Sequence, residues 1–270
     1  MKKIILKYIN YFPFSSIFLA RLQGLIKFVQ LPVDVIKAFR DYRLLKKSFS
    51  KSEHRFSLSF RTGEFYLTDK TSNTLFDAHY IYHPAWAARA LKKINPTKHI
   101  DISSTLHFCS IVSSFIPVEF YDYRPAQLKL SDLTSKHADL LKLPFKDNSV
   151  KSLSCMHTVE HVGLGRYGDK IDYDGDLKAI EELKRVLAQN GDLLFVVPLG
   201  KPKLVFNAHR IYSYDQIINY FNGFSLKEFA LIPDFSNGGG IIKNASKKLV
   251  DNQKWGCGCF WFRKEKPNKR

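Results

Sequence analysis

The stretch from Ala138 to Pro198 most narrows what this chain can fold into. Two apolar runs, Val150 to Met156 and Leu193 to Val197, are bounded by turn residues, as expected of strands buried on both faces. Between them Leu177, Ile180, Leu183 and Leu187 fall on one stripe at helical spacing, and Asn190-Gly191 offers a left-handed residue to close the last turn. Strand, helix and strand of this length make a crossover unit, which implies a parallel sheet.

Upstream, Pro117 to Asp122 reads as a strand ending in an acid. It is preceded by His99-Ile100-Asp101-Ile102-Ser103-Ser104 and an apolar helical stretch through Phe115. That is the order of a nucleotide-binding α/β crevice, whose ligands sit outside the carboxyl ends of the strands. An acid at Asp122 is placed to accept both hydroxyls of a ribose, and Asp139 to meet an adenine edge. The plainer reading of each is a solvated carboxylate capping a strand end.

The segment Ala138-Asp139-Leu140-Leu141-Lys142-Leu143-Pro144-Phe145-Lys146-Asp147, the strand ending near His157, the helix Glu181-Glu182-Leu183-Lys184-Arg185-Val186-Leu187 and the strand after Gly191 keep a recognisable order. The pattern resembles class I S-adenosylmethionine-dependent methyltransferases. With the flanks His79 to Arg89, Asp122 to Pro125, Glu160 to Asp169 and Phe206 to Tyr212, it is similar to an uncharacterised methyltransferase-like family of unknown function, over roughly Phe76 to Lys264. The resemblance implies a Rossmann-like α/β fold, a mostly parallel central sheet flanked by helices, and S-adenosylmethionine as cofactor. Asp101, Ser103, Ser104, Asp122 and Asp139 are the implied cofactor residues. The family's first turn is Gly-rich, whereas this one reads Ile102-Ser103-Ser104-Thr105-Leu106-His107. Serines do not readily take positive φ, so a non-catalytic scaffold stands as an alternative.

Charge divides the chain. Of a net +17, residues 1–70 hold 14 Lys or Arg against 5 acids, and residues 241–270 hold 9 against 2. The middle is nearly neutral, which argues against a nucleic-acid substrate. The expected organisation is a basic amphipathic extension or cap (1–70), a methyltransferase-like domain (71–264) and a frayed basic tail, with Arg263 in the fraying and 265–270 beyond the domain. The uncharged run Tyr8 to Ala20 spans 13 residues, short of the about 20 that cross a bilayer. Flanked by lysines, residues 1–50 suit either an anionic membrane surface or a packed cap. The four cysteines give no disulfide framework, which fits a cytoplasmic protein, at most peripheral to the membrane's inner face.

His157-Thr158-Val159-Glu160-His161 has the spacing of an inverted zinc-protease motif. That chemistry needs a helix, yet these residues follow a strand and precede Gly163 and Gly165. Cys257-Gly258-Cys259 has no second ligand pair at a suitable spacing, so no metal is expected. The same His turn falls on the rim of a strand-end site. His157 and His161 are candidate general bases, with Glu160 to orient a ring. Arg166, Tyr167, Asp169, His209, Arg210 and Tyr212 are candidate substrate contacts on the same edge. The expectation is O-methyl transfer to a hydroxylated acceptor, such as a surface-glycan sugar or its lipid-linked precursor, or to a soluble small molecule.

Overall fold

The computed structural model describes residues 15–64, 66–67, 69–234 and 240–265. The start of the apolar-aromatic run, residues 1–14, and the tail 266–270 lie outside the described residues. Two compact units divide the chain, Met1–Leu75 and Phe76–Arg270. In the first, helix α1 (Ser15–Phe49) runs through Pro32 and carries Lys46 and Lys47 in its last turn, the charge that suits a helix C-terminus. Phe60, in a 3₁₀ turn capped by Ser59, packs on Phe39 and Tyr42 at 5.1 Å each. No helix of the described residues is long and apolar enough to cross a membrane.

The second unit runs α2 (Ala78–Ile94), β1 (His99–Ile102), α3 (Leu106–Val112), β2 (Val118–Asp122), β3 (Leu133–His137), β4 (Val150–Met156), α4 (Gly175–Val186) and β5 (Leu187–Leu199). There follow β6 (Lys203–Val205), β7 (His209–Ile211), α5 (Tyr214–Tyr220), β8 (Phe224–Ile232), β9 (Ile242–Lys243), α6 (Lys247–Asp251) and β10 (Gly256–Lys264). Eight strands form one sheet in the order β3-β2-β1-β4-β5-β10-β8-β9. The first five are parallel, and β10 runs antiparallel between β5 and β8. The sheet is mostly parallel and Rossmann-like; β6 and β7 form a separate hairpin.

The period of two along each strand builds two cores. Leu153 and Cys155 of β4, with Leu193, Phe195 and Val197 of β5, face α4 and α5. Met156, Leu194 and Val196 face the other way, onto Trp86, Ala87, Ala90 and Leu91 of α2 and Phe108 and Val112 of α3. Helix α2 starts where the Asp77 carboxylate accepts the Tyr80 N–H at 3.2 Å. It ends at Asn95, in the left-handed region at φ 49°.

The helix between the two apolar runs is shorter than its spacing predicts. Ala179, Ile180, Leu183 and Val186 make the buried stripe, Leu177 is 36% exposed and Leu187 already opens β5. Asn190, at φ 59°, is not a helix stop. It turns the chain within β5, where pairing with β4 jumps from Val150–Leu187 to Ser152–Asp192. The Lys264 ammonium ends the helix instead, donating to the carbonyls of Lys184 (2.6 Å) and Leu187 (2.9 Å). Lys264 and Arg263 therefore belong to the last strand and not to a frayed tail; Arg263 donates to both oxygens of Asp192.

A polar chain crosses this apolar sheet. The Ser154 hydroxyl donates to Asp101, so His99 must donate from Nε2 to Ser154 Oγ (2.8 Å) and accept from Ser152 at Nδ1 (2.8 Å). Burial keeps His99 neutral, pushing its pKa down to about 3. Asp101 also takes the Ser104 N–H at 3.0 Å, which fixes the turn after β1. Burial raises its pKa from 3.8 to about 6. A carboxyl that holds its proton longer folded than unfolded binds protons on folding between those two values. The contribution of this group to stability should therefore fall by about 3 kcal/mol as pH rises from about 4 to about 6, and level off above. The buried histidines, whose pKa values are lowered, make stability rise over the same range in both chains. Urea unfolding should therefore give a slope more negative in the parent than in Asp101→Asn; an equal slope in both would acquit Asp101.

Candidate functional site

The carboxyl ends of β3, β2, β1 and β4 lie side by side around a cavity of about 380 Å³. Ser103, Asp122, Asp139, His157 and His161 line it, together with Tyr123, Arg124, Leu140, Leu141 and Thr158. Two strands end in residues of positive φ, Ser103 at 56° and His157 at 55°. The expectation that a glycine-less first turn avoids this region is corrected. Ser103 is held there by its N–H on the Tyr121 carbonyl (2.8 Å) and by the Thr158 hydroxyl on its own carbonyl (2.9 Å). A left-handed non-glycine residue costs roughly 1–2 kcal/mol, which such bonds offset.

Asp122 and Asp139 each use one oxygen to brace the turn below, accepting the N–H of Arg124 (2.7 Å) and of Leu141 (2.8 Å). Asp101 is different. It is fully buried and does not line the cavity, because its carboxylate is spent on Ser104 and Ser154. Ser104 is likewise turned inward, its hydroxyl accepting the Met156 N–H at 3.1 Å.

Glu160 sits in a single 3₁₀ turn, Val159–His161, and is 1% exposed. Its Oε1 lies 2.8 Å from His157 Nδ1 and 3.8 Å from His161 Nε2. His157 therefore donates from Nδ1, and its Nε2 is a buried lone pair with no hydrogen-bond partner. His161 Nδ1 lies 2.5 Å from the Ala208 carbonyl and 3.3 Å from Arg166 Nη1; the shorter contact makes Nδ1 the donor to Ala208 and leaves Nε2 with the lone pair. The two rings flank Glu160 and do not face a common ion, because one 3₁₀ turn cannot set them at the helical spacing the zinc-protease motif needs.

The loop after this turn is folded around Asp169, which accepts from Gly163 N (2.7 Å), Gly165 N (3.3 Å) and Tyr167 N (3.2 Å). Partial burial would raise its pKa, but these amides hold it below the usual value. Gly163 is required there: at φ 80°, a Cβ would stand 2.0 Å from the Asp172 carbonyl. Asp169 thus lines the cavity as a loop clasp, whereas Tyr167 lines it with the guanidinium groups of Arg124 (4.9 Å) and Arg166 (5.1 Å) over its ring; Arg166 itself is not a lining residue. Arg166 also donates to the Ala208 carbonyl at 3.2 Å.

Arg210 and Tyr212 do not reach the cavity. Arg210 is 7% exposed and ties the loop carbonyls of Val162 (2.7 Å) and Tyr173 (2.8 Å), and Tyr212 donates to Asp176 at 2.9 Å. They line a second cleft of about 280 Å³. His209 stacks on Trp255 at 5.6 Å, also off the cavity, and burial lowers its pKa. Thr158 and Lys170 are among the lining residues that sequence reasoning missed, as are Tyr123 and Arg124. None carries a distinctive signal, although Thr158 adjoins the His157 turn.

The NodS N-methyltransferase of Bradyrhizobium japonicum, solved with S-adenosyl-L-homocysteine, superposes with a TM-score of 0.48 at 12% identity, covering 68% of this chain and 86% of that one. The YcgJ protein of Bacillus subtilis gives 0.46 at 16% identity, over 68% of this chain and 99% of that one. An uncharacterised protein of Methanocaldococcus jannaschii, MJ0638, is 34% identical over 79 residues. That match spans 28% of this chain and 29% of the length of its relative. A family model described as Caenorhabditis protein of unknown function, DUF268, matches residues 104–238, from the first turn through the end of β8. These residues are half of the chain and hold most of the cavity's lining, and the chain belongs to the DUF268 family.

Proposed function

We propose that this protein is an S-adenosylmethionine-dependent methyltransferase acting on a hydroxyl group. The observation that carries the reading is the cavity at four adjacent strand ends, with a carboxylate at the end of β2 and another just after β3. Its about 380 Å³ is within the range of small-ligand sites. Asp122 would take the ribose hydroxyls and Asp139 the adenine edge, with Ser103 closing the turn beneath. The bound cofactor supplies a methyl group already activated on a sulfonium centre. The chain's part is to align the acceptor, exclude water and take up the hydroxyl proton.

His161 suits the last task better than His157. Its Nδ1–H is anchored to Ala208, so Nε2 is the free base, and the Glu160 carboxylate 3.8 Å away provides a counter-charge when the proton arrives. The rim formed by Tyr167 with Arg124 and Arg166 suits a polar acceptor. A glycan sugar or lipid-linked precursor is the acceptor class we favour, and the basic residues 1–50 would bring the protein to an anionic surface.

Calorimetry with S-adenosylmethionine should detect binding that weakens at least tenfold, about 1.4 kcal/mol, in both Asp122→Ala and Asp122→Asn. The Asn variant keeps the turn, so unchanged affinity in it removes the carboxylate from the site. No binding by the parent at millimolar cofactor would favour a non-catalytic scaffold. With an acceptor found by labelled-methyl screening of nucleotide sugars and lipid-linked glycans, His161→Ala should lower kcat roughly 10²–10⁴-fold while cofactor affinity stays nearly intact. Arg166→Ala should chiefly raise the acceptor KM. A full kcat in His161→Ala would move the proton acceptor elsewhere. Liposome flotation should recover the chain with anionic vesicles and lose it with added salt; equal recovery on neutral vesicles argues against the surface role.

A further inference from the structure

Beside the cavity, three segments distant in sequence bring metal-binding side chains together. His79 lies in the first turn of α2, His157 follows β4 and Cys257 belongs to β10. One donor atom from each lies within 4.8 Å of the other two. His79 is 6% exposed and Cys257 is fully buried. We propose that His79, His157 and Cys257 form a site for one zinc ion.

The unpartnered nitrogen of His157 points to this ligand. Its Nδ1–H is committed to Glu160 at 2.8 Å, so the ring can only offer the Nε2 lone pair, and that atom is buried without a hydrogen bond. Leaving such an acceptor unsatisfied costs about 1–3 kcal/mol. A carboxylate gripping the far nitrogen of an imidazole is also what holds metal-bound histidines in orientation and raises their basicity. Aromatic rings wall the donors off from water, Tyr80 at 5.6 Å from the His157 ring and Trp255 at 4.9 Å from that of His79.

The donor set selects the ion. Two imidazoles and a thiol exclude calcium and magnesium, which take oxygen ligands, and match zinc. A zinc ion with bonds of about 2.0–2.3 Å wants its donors roughly 3.4–3.8 Å apart, so the side chains close by about an ångström on binding. Binding forms two Zn–N bonds and one Zn–S bond, and the thiol proton leaves to solvent. The two positive charges are then matched by the Cys257 thiolate and the Glu160 carboxylate, which limits the cost of burying the ion. Three protein ligands leave a fourth position for water or a solute. His157 lines the cavity, so the ion would stand beside it. The inference does not rest on the methyl-transfer reading.

The test uses the untagged full chain, stripped of metal by a chelator and titrated with Zn²⁺ against a colorimetric zinc indicator, and separately with Co²⁺. The parent should bind one equivalent of zinc at micromolar metal, and its cobalt form should show the near-ultraviolet charge-transfer band of a thiolate ligand. Cys257→Ser should abolish that band and weaken zinc at least about 100-fold, as should His79→Gln. Glu160→Gln should weaken it about 10–100-fold. Cys155→Ala, whose thiol packs in the opposite core, should change nothing. Absence of stoichiometric zinc from the parent overturns the proposal whatever the variants do. So does a parent-like affinity in a folded Cys257→Ser chain.

Discussion

The site depends on one buried carboxylate. Glu160 is almost without solvent contact, and its recorded side-chain neighbours are the imidazoles of His157 and His161. A carboxylate in that position needs hydrogen-bond donors: His157 Nδ1 supplies one to Oε1, and Oε2 is buried without a partner. The arrangement assigns each ring its tautomer: His157 gives its Nδ1 proton to Glu160, and His161 gives its own to Ala208. The backbone is tied in as well, because Arg210 reaches the carbonyls of Glu160 (3.5 Å) and Val162 (2.7 Å). Arg210 therefore acts on the site without touching it, by fixing the turn that carries both histidines.

Beneath the turn, the sheet does the positioning. The polar chain from Ser152 through His99 and Ser154 to Asp101 links β4 to β1 within an apolar sheet. It ends on the carboxylate that holds the Ser104 N–H. Ser103 can then take a left-handed φ without being glycine, because its neighbours over-determine it. The first turn keeps the shape a glycine would permit, and a hydroxyl is retained at the cavity wall.

How much of this was legible in the sequence follows from range. The strand Val150–Met156, the acid ending β2 and the clustering of polar residues at one sheet edge are local patterns, and period and turn chemistry suffice to read them. The end of α4 was not legible. The residue that caps it, Lys264, arrives from the last strand, 77 positions beyond Leu187, so Asn190-Gly191 looked like the stop. Arg210 and Tyr212 were read as substrate contacts because they follow a strand on the correct edge. Their side chains turn inward to loop carbonyls and to Asp176. Asp101 stands beside the serines in sequence but inside the sheet in space, and no local signal separates those positions. His79 and Cys257 are 178 positions apart, and only the sheet order puts the start of α2 near β10.

In the two roles proposed for this turn, the tautomers also keep base and ligand from competing for one nitrogen. A general base needs a lone pair that faces the acceptor, and a metal ligand needs one withdrawn from water. With Glu160 between the rings, His157 is left with its lone pair on the buried side, near His79 and Cys257. His161 keeps its own on a ring that lines the cavity. Had Glu160 bonded His161 Nε2 instead, with Ala208 out of reach, the lone pair of that ring would pass to Nδ1, beside Arg166. The 47-residue separation between His161 and Ala208 is bridged by the β6–β7 hairpin, whose turn supplies that carbonyl. The hairpin stands apart from the main sheet, yet by holding the Nδ1 proton it fixes which nitrogen of His161 carries the lone pair.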